Sequence, residues 1–152
     1  MEVYRIAKTE FSKDLSGYGA RTFEGRWNHK GTSVVYTSES RALATTEYLV
    51  HVPVSLVPDK LSMTTITVPE GASRQSVDIN DLPANWRDFP ADPALADFGS
   101  SWVDRSDSLL LRVPSVIVEK EFNILINPMH PESGGVTITA VDPYQFDPRL
   151  LI

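Results

Sequence analysis

The sequence predicts an α+β fold with largely antiparallel sheets, and three observations predict it. About seven strand-like stretches stand against two helical ones, without the regular alternation that a parallel βαβ sheet requires. No GxGxxG follows a strand and no GKS or GKT loop occurs, so neither a Rossmann nor a P-loop nucleotide site is supported. At 152 residues and 41% hydrophobic, the chain suits a single domain, residues 1–152, that buries a core without disulfides or a structural metal.

Composition narrows the chemistry. Asp and Glu number 20 against 14 Lys and Arg, a net charge of −6 with no dense basic block, so direct nucleic-acid binding is not expected. Cysteine is absent, which removes disulfides, thiolate metal sites and cysteine nucleophiles together. The start, Met1 to Arg5, has no basic region followed by an apolar stretch. No run approaches the ~18 apolar residues of a membrane span, so a cytoplasmic protein without a membrane partner is expected.

Val3 to Ala7 has the length and character of a short strand and carries Arg5 in its middle. Phe11 to Glu24, broken by Gly17 and Gly19, reads as a loop ordered by Tyr18 and Phe23. Gly25-Arg26-Trp27-Asn28 follows, then a turn at His29 to Gly31 and a strand from Ser33 to Thr37. Ser38 or Ser40 can cap a helix from Glu39 to Val50. At about 100° per residue, Leu43, Val50, Ala42 and Leu49 form its apolar arc, with Arg41, Thr45 and Tyr48 opposite. Glu47 falls on the arc, where a carboxylate needs a donor or a cavity edge, although a solvated acid at the margin of the arc fits the pattern too.

Leu61 to Val68 alternates loosely as a strand with threonines on one side, and Ser76 to Ile79 can pair briefly. Trp86 anchors a turn-like stretch. Pro93 to Val103 reads as a helix capped by Asp92, with Leu95, Phe98 and Trp102 at helical spacing and Gly99 weakening it. Ser108 to Val113 is a buried strand; Pro114 kinks it and aims Ser115 off the pleat before Val116 to Val118 resumes. Phe122 to Asn127 is another strand with Asn123, Leu125 and Asn127 on one face, and Gly135 to Val141 is the last. The tail, Asp142 to Ile152, is expected to lie across the surface.

Taken singly, the polar candidates have ordinary readings. Arg5 and Arg26 can be surface cations or fork donors for phosphate or carboxylate. Trp27 can be a core plug, and Tyr36 a packing residue with its hydroxyl satisfied at an edge. Ser115 lacks a Gly-x-Ser-x-Gly elbow, and His29, His51 and His130 have no metal-ligand spacing, so no metal is expected.

The combination resembles the RES domain family, toxins paired with Xre-type antitoxins in bacteria. The matching features are Tyr4-Arg5, Gly25-Arg26-Trp27-Asn28, Val35-Tyr36-Thr37, Glu47, Val113-Pro114-Ser115, and Asn123 through Asn127-Pro128 to His130-Pro131. One departure is Glu24, where many members have a second glycine. The resemblance implies an ADP-ribosyltransferase-like fold, two small sheets around a cleft for NAD⁺, which is substrate rather than bound cofactor. It implies a catalytic trio of Arg26, Glu47 and Ser115, with Arg5, Arg26, Tyr36 and Asn123 binding NAD⁺. It also implies cleavage of the nicotinamide–ribose bond by water or phosphate, with ADP-ribosyl transfer to a protein as the rival. A non-catalytic nucleotide- or partner-binding module is the second rival. The implied partner is an Xre-type antitoxin, with a homodimer within the toxin–antitoxin complex.

Overall fold

A computed structural model describes residues 1–152. Seven strands and three helices alternate unevenly. They are β1 (Glu2–Lys8), α1 (Tyr18–Thr22), β2 (Val35–Ser38), α2 (Arg41–His51), β3 (Leu61–Thr67), β4 (Arg74–Ser76), α3 (Pro93–Arg105), β5 (Leu110–Pro114), β6 (Phe122–Ile126) and β7 (Thr137–Tyr144). The strands order as β4-β5-β6-β2-β1-β3-β7, antiparallel except for the β4–β5 pair. The expected α+β architecture is present, but as one seven-stranded sheet rather than two small ones, because β1 and β2 join its halves at a narrow contact. Only Tyr4 and Ser38 pair between β1 and β2, whereas β1 pairs with β3 along its whole length. Beyond Tyr4 the two halves part. Arg5 is the first residue past the joint.

The core follows from this arrangement. On one face α3 covers β5 and β6, with Trp27, Trp86, Leu95, Trp102, Leu111 and Leu125 packed together. On the other face Val3, Val35, Ile66, Leu110, Ile124 and Ile126 form a second cluster. A third, smaller cluster joins Ile6, Ala44, Leu61, Met63 and Phe146, where α2 and the tail cover β1 and β3. No helix is long and apolar enough to cross a membrane.

Several expectations are corrected. The segment from Phe11 to Glu24 contains α1, a five-residue helix too short for a periodic signal, entered through Gly17 at φ 73°. Tyr18 and Phe23 are exposed and do not order it; the Asn28 amide does, donating to the carbonyls of Ala20 and Phe23. Ser40, not Ser38, caps α2, its hydroxyl accepting from the Leu43 N–H at 3.0 Å. Ala42 and Val50 face solvent, while Tyr48 stacks on Phe146 and the Thr45 hydroxyl meets that of Tyr144 at 2.7 Å. The tail covers the flank that helical periodicity assigned to water. For the same reason β7 runs on to Tyr144, past the expected end at Val141, and Phe146 is a core plug rather than a surface residue. β3 is buried on both faces from Leu61 to Ile66, so its threonines do not share one exposed side. β4 begins earlier than expected, at Arg74, and Ile79 opens a 3₁₀ turn instead. Val116 to Val118 does not resume a strand, because the chain turns directly after Ser115.

Gly99 has the opposite significance from the one expected. A Cβ there would lie 1.8 Å from the Trp27 carbonyl oxygen, so α3 requires glycine where the chain after α1 presses against it. Replacing it with alanine forces one backbone away from the other. Gly99→Ala is expected to cost about 2–3 kcal/mol and to lower the melting temperature by about 5–10 °C. A thermal denaturation midpoint equal to that of the parent would show that the two segments are not in this contact.

Candidate functional site

Gly25-Arg26-Trp27-Asn28 is a tight turn. Gly25 and Asn28 pair across it, the Gly25 N–H donating to the Asn28 carbonyl at 3.0 Å, which leaves Arg26 and Trp27 at the corners. Trp27 goes into the core, 3% exposed, and its neighbour is held at the rim. The turn is fastened from β2. The Tyr36 hydroxyl donates to Asn28 Oδ1 at 2.6 Å and accepts from the Trp27 N–H at 3.2 Å. Gly25 must be glycine for this, since a Cβ would stand 2.8 Å from Asn28 Oδ1 and 2.9 Å from the Tyr36 oxygen. Asn28 is wholly buried, and its amide also donates to the His29 carbonyl. Burial, the main cause, pushes the Tyr36 phenol above the ordinary tyrosine range, with the Trp27 N–H and Arg26 acting against it.

Arg26 is anchored through one nitrogen. Nη1 donates to the carbonyls of Trp86 at 2.8 Å and Asp88 at 3.1 Å. Nε and Nη2 have no protein partner and are not sealed from solvent, so the bidentate edge of the guanidinium is open. Burial lowers the affinity of Arg26 for its proton, opposed first by the charge of Glu47 and then by Asp88. The group stays cationic in either case.

Glu47 is anchored in the same one-sided way. Its Oε1 accepts from the Ser115 hydroxyl and from the Asn123 amide, both at 2.7 Å. Oε2 has no protein partner and is likewise open to solvent. These donors converge because β5 ends just before Ser115, β6 begins just before Asn123, and α2 returns over both. Asn123 is itself oriented by Ser38, its register partner on β2, whose hydroxyl donates to Asn123 Oδ1 at 2.7 Å. The Ser115 hydroxyl also accepts the N–H groups of Ile117 and Val118 at 3.1 Å, which closes the turn. With its proton on Glu47 and its lone pairs on backbone, Ser115 is fully engaged and 2% exposed.

Arg26, Tyr36, Glu47, Ser115 and Asn123 are thus brought into one region. Arg5 stands apart from the hydrogen-bonded cluster. Its Nη2 donates to the carbonyls of Phe11 at 3.4 Å and Ser12 at 3.1 Å, and its Nε is buried without a partner. The Thr64 hydroxyl, opposite Arg5 in the β1–β3 register, donates to the same Ser12 carbonyl. Sequence reading named Asn28 only within its motif and Ser38 only as a possible cap, and gave no role to the carbonyls of Trp86 and Asp88. Asn28 could have been found from the turn that it closes, and Ser38 from its two-residue offset to Tyr36, which puts both on one face of β2. Two of the three histidines have separate partners, His29 Nε2 lying 2.6 Å from Asp97 and His130 Nδ1 accepting from the Glu132 N–H.

Similarity to known proteins extends over nearly the whole chain. The RES domain family model matches residues 2–147. The chain is 40% identical over 147 residues to the Prs ADP-ribosylating toxin of Sphingobium sp. (strain YBL2), covering 95% of this chain and 91% of that protein. It is 38% identical over 153 residues to Toxin Res of Yersinia enterocolitica, covering 99% of each. Among solved structures, the M. tuberculosis MbcT-MbcA toxin-antitoxin complex contains a chain that superposes with a TM-score of 0.73 at 16% identity, over 99% of this chain and 86% of that one. That likeness shows the fold.

The Tyr36–Asn28 bond is a structural requirement of the turn. Tyr36→Phe leaves a buried N–H and a buried amide oxygen without their partner, so a loss of about 1–3 kcal/mol in urea denaturation is expected. Asn28→Ala, which removes the donors to the Ala20, Phe23 and His29 carbonyls as well, should cost more. Equal stability of Tyr36→Phe and the parent would refute the latch.

Proposed function

The chain belongs to the RES domain family, and from that premise we propose that it is the toxin of a toxin–antitoxin pair and acts by breaking the nicotinamide–ribose bond of NAD⁺. The observation that carries the reading is the pairing of two half-anchored charges. Glu47 presents a free carboxylate oxygen, and Arg26 a free two-donor edge, from fixed positions that are not ion-paired to each other.

Each charge has a defined task in this reaction. Cleavage sends the electrons of the glycosidic bond onto the pyridinium nitrogen, which leaves as neutral nicotinamide, and positive charge develops on the ribose. Glu47 Oε2 stabilises that charge and holds a ribose hydroxyl. The Nε and Nη2 edge of Arg26 suits a phosphate of the dinucleotide, fixing it while the ring departs. Arg5 has a solvent-open Nη1 beside the parting of the two half-sheets, and this nitrogen is assigned to the second phosphate. Tyr36 acts through the turn that carries Arg26, while Ser115 and Asn123 keep Glu47 aimed. Water or inorganic phosphate then attacks the anomeric carbon and loses a proton, giving ADP-ribose or its 1-phosphate.

A second reading has its own support. One relative is an ADP-ribosylating toxin, so a protein nucleophile can take the place of water or phosphate. The antitoxin partner belongs to the same proposal, since a protein of this fold is known in a toxin-antitoxin complex.

Nicotinamide release from NAD⁺ by the purified chain, assayed with and without phosphate, tests the reaction. Glu47→Gln should reduce release by about a hundredfold or more with the fold intact by circular dichroism; parental activity would remove Glu47 from the chemistry. Arg26→Lys keeps the charge but loses the fork, and should raise the KM for NAD⁺ about tenfold. An unchanged KM would make Arg26 part of the scaffold. Labelled NAD⁺ separates the two readings, label on protein marking transfer.

A further inference from the structure

We propose that Arg87, an exposed residue outside the cluster, is a positioning residue that sets the spacing between Arg26 and Glu47; this rests on the reading of those two groups as the NAD⁺ site. Arg26 is fixed by the carbonyls of Trp86 and Asp88, the residues on either side of Arg87. Glu47 is fixed by Ser115, which begins the turn between β5 and β6. Arg87 joins these two loops. Its Nη2 donates to the Val116 carbonyl at 3.0 Å, and its Nη1 pairs with Glu119 Oε1 at 2.7 Å. A chain of contacts therefore runs from Arg26 through the segment 86–88, across Arg87, into the turn, and through Ser115 to Glu47.

Local contacts tie down both ends of this bridge. The Arg87 guanidinium also lies over the Trp86 ring, 5.6 Å from its centre, while that ring is sunk in the core at 9% exposure. In the turn, the Ser115 N–H donates to the Glu121 carbonyl at 2.9 Å, and the Ile117 and Val118 N–H groups donate to the Ser115 hydroxyl. A pull on the Val116 carbonyl is a pull on the residue that aims Glu47.

Exposure separates this role from a structural one. The Arg87 and Glu119 side chains are 42% and 73% exposed, so the pair adds little to global stability. Loops held by such contacts nevertheless set the distance between groups on different segments, and small misplacements of a phosphate clamp weaken binding. The bridge should show in KM rather than in the melting temperature.

The test compares the parent with Arg87→Ala and Arg87→Lys by nicotinamide release, thermal melting and amide hydrogen exchange. Arg87→Ala should raise the KM for NAD⁺ about three- to fivefold with an unchanged melting temperature. Exchange should quicken in both residues 83–92 and residues 115–121. Arg87→Lys, which can reach Glu119 or Val116 but not both with a fork, should fall between the two. An unchanged KM overturns the proposal, as does a fall in kcat and melting temperature without a change in KM. Should the parent release no nicotinamide, the reading of the reaction fails, and exchange alone decides the bridge: quickening in both loops supports it, and quickening in one or neither overturns it.

Discussion

The turn from Gly25 to Asn28 is the constraint on which the site depends. Two corner residues have to part company, Trp27 entering the core and Arg26 staying at the rim, and a turn held by Gly25–Asn28 pairing does this over a minimal length of chain. Its backbone is pressed from one side by Gly99 of α3 and caught from another by the Tyr36 hydroxyl on β2. Both contacts need atoms to be absent: a Cβ at Gly99 or at Gly25 would occupy space that the turn and its latch already fill. Close packing thus makes the direction of a surface arginine a property of the core.

The same economy governs the carboxylate. An acid on the covered side of a helix must find donors, and Glu47 finds two, but both bind one oxygen. Oε1 satisfies the fold, and Oε2 is left for solvent or ligand. Arg26 divides in parallel, with Nη1 on backbone carbonyls and its other edge open. Groups half-used by the fold are oriented without being consumed, which is what preorganised electrostatics requires.

Tyr36 and Ser115 show how a residue can be singled out while its contacts stay hidden. Their positions in the chain resembled those of a family site, yet the Tyr36 hydroxyl is engaged with Asn28 and the Trp27 N–H, and the Ser115 hydroxyl with Glu47 and its own turn. Nothing in the spacing of Val-Pro-Ser could reveal that β5 stops there and turns, because an apolar Val-Ile-Val run reads as strand whenever its partner is unknown. Likewise Thr45 and Tyr48 pointed away from an apolar arc computed for a helix alone. The tail brought Tyr144 and Phe146 to them.

What the sequence by itself determined was local: Ser40 and Asp92 as available caps, Glu47 on the covered arc of α2, and an uneven order of elements that excludes a wholly parallel sheet. Those features arise from neighbours three or four residues apart, or two in a strand, and periodicity reports them directly. Only the tertiary structure decided that the half-sheets meet at Tyr4 and Ser38, that Gly99 admits Trp27, and that Ser115 and Asn123 converge on one oxygen of Glu47. Each of these is a contact between residues some thirty or more positions apart, set by packing and hydrogen-bond geometry that no local pattern encodes.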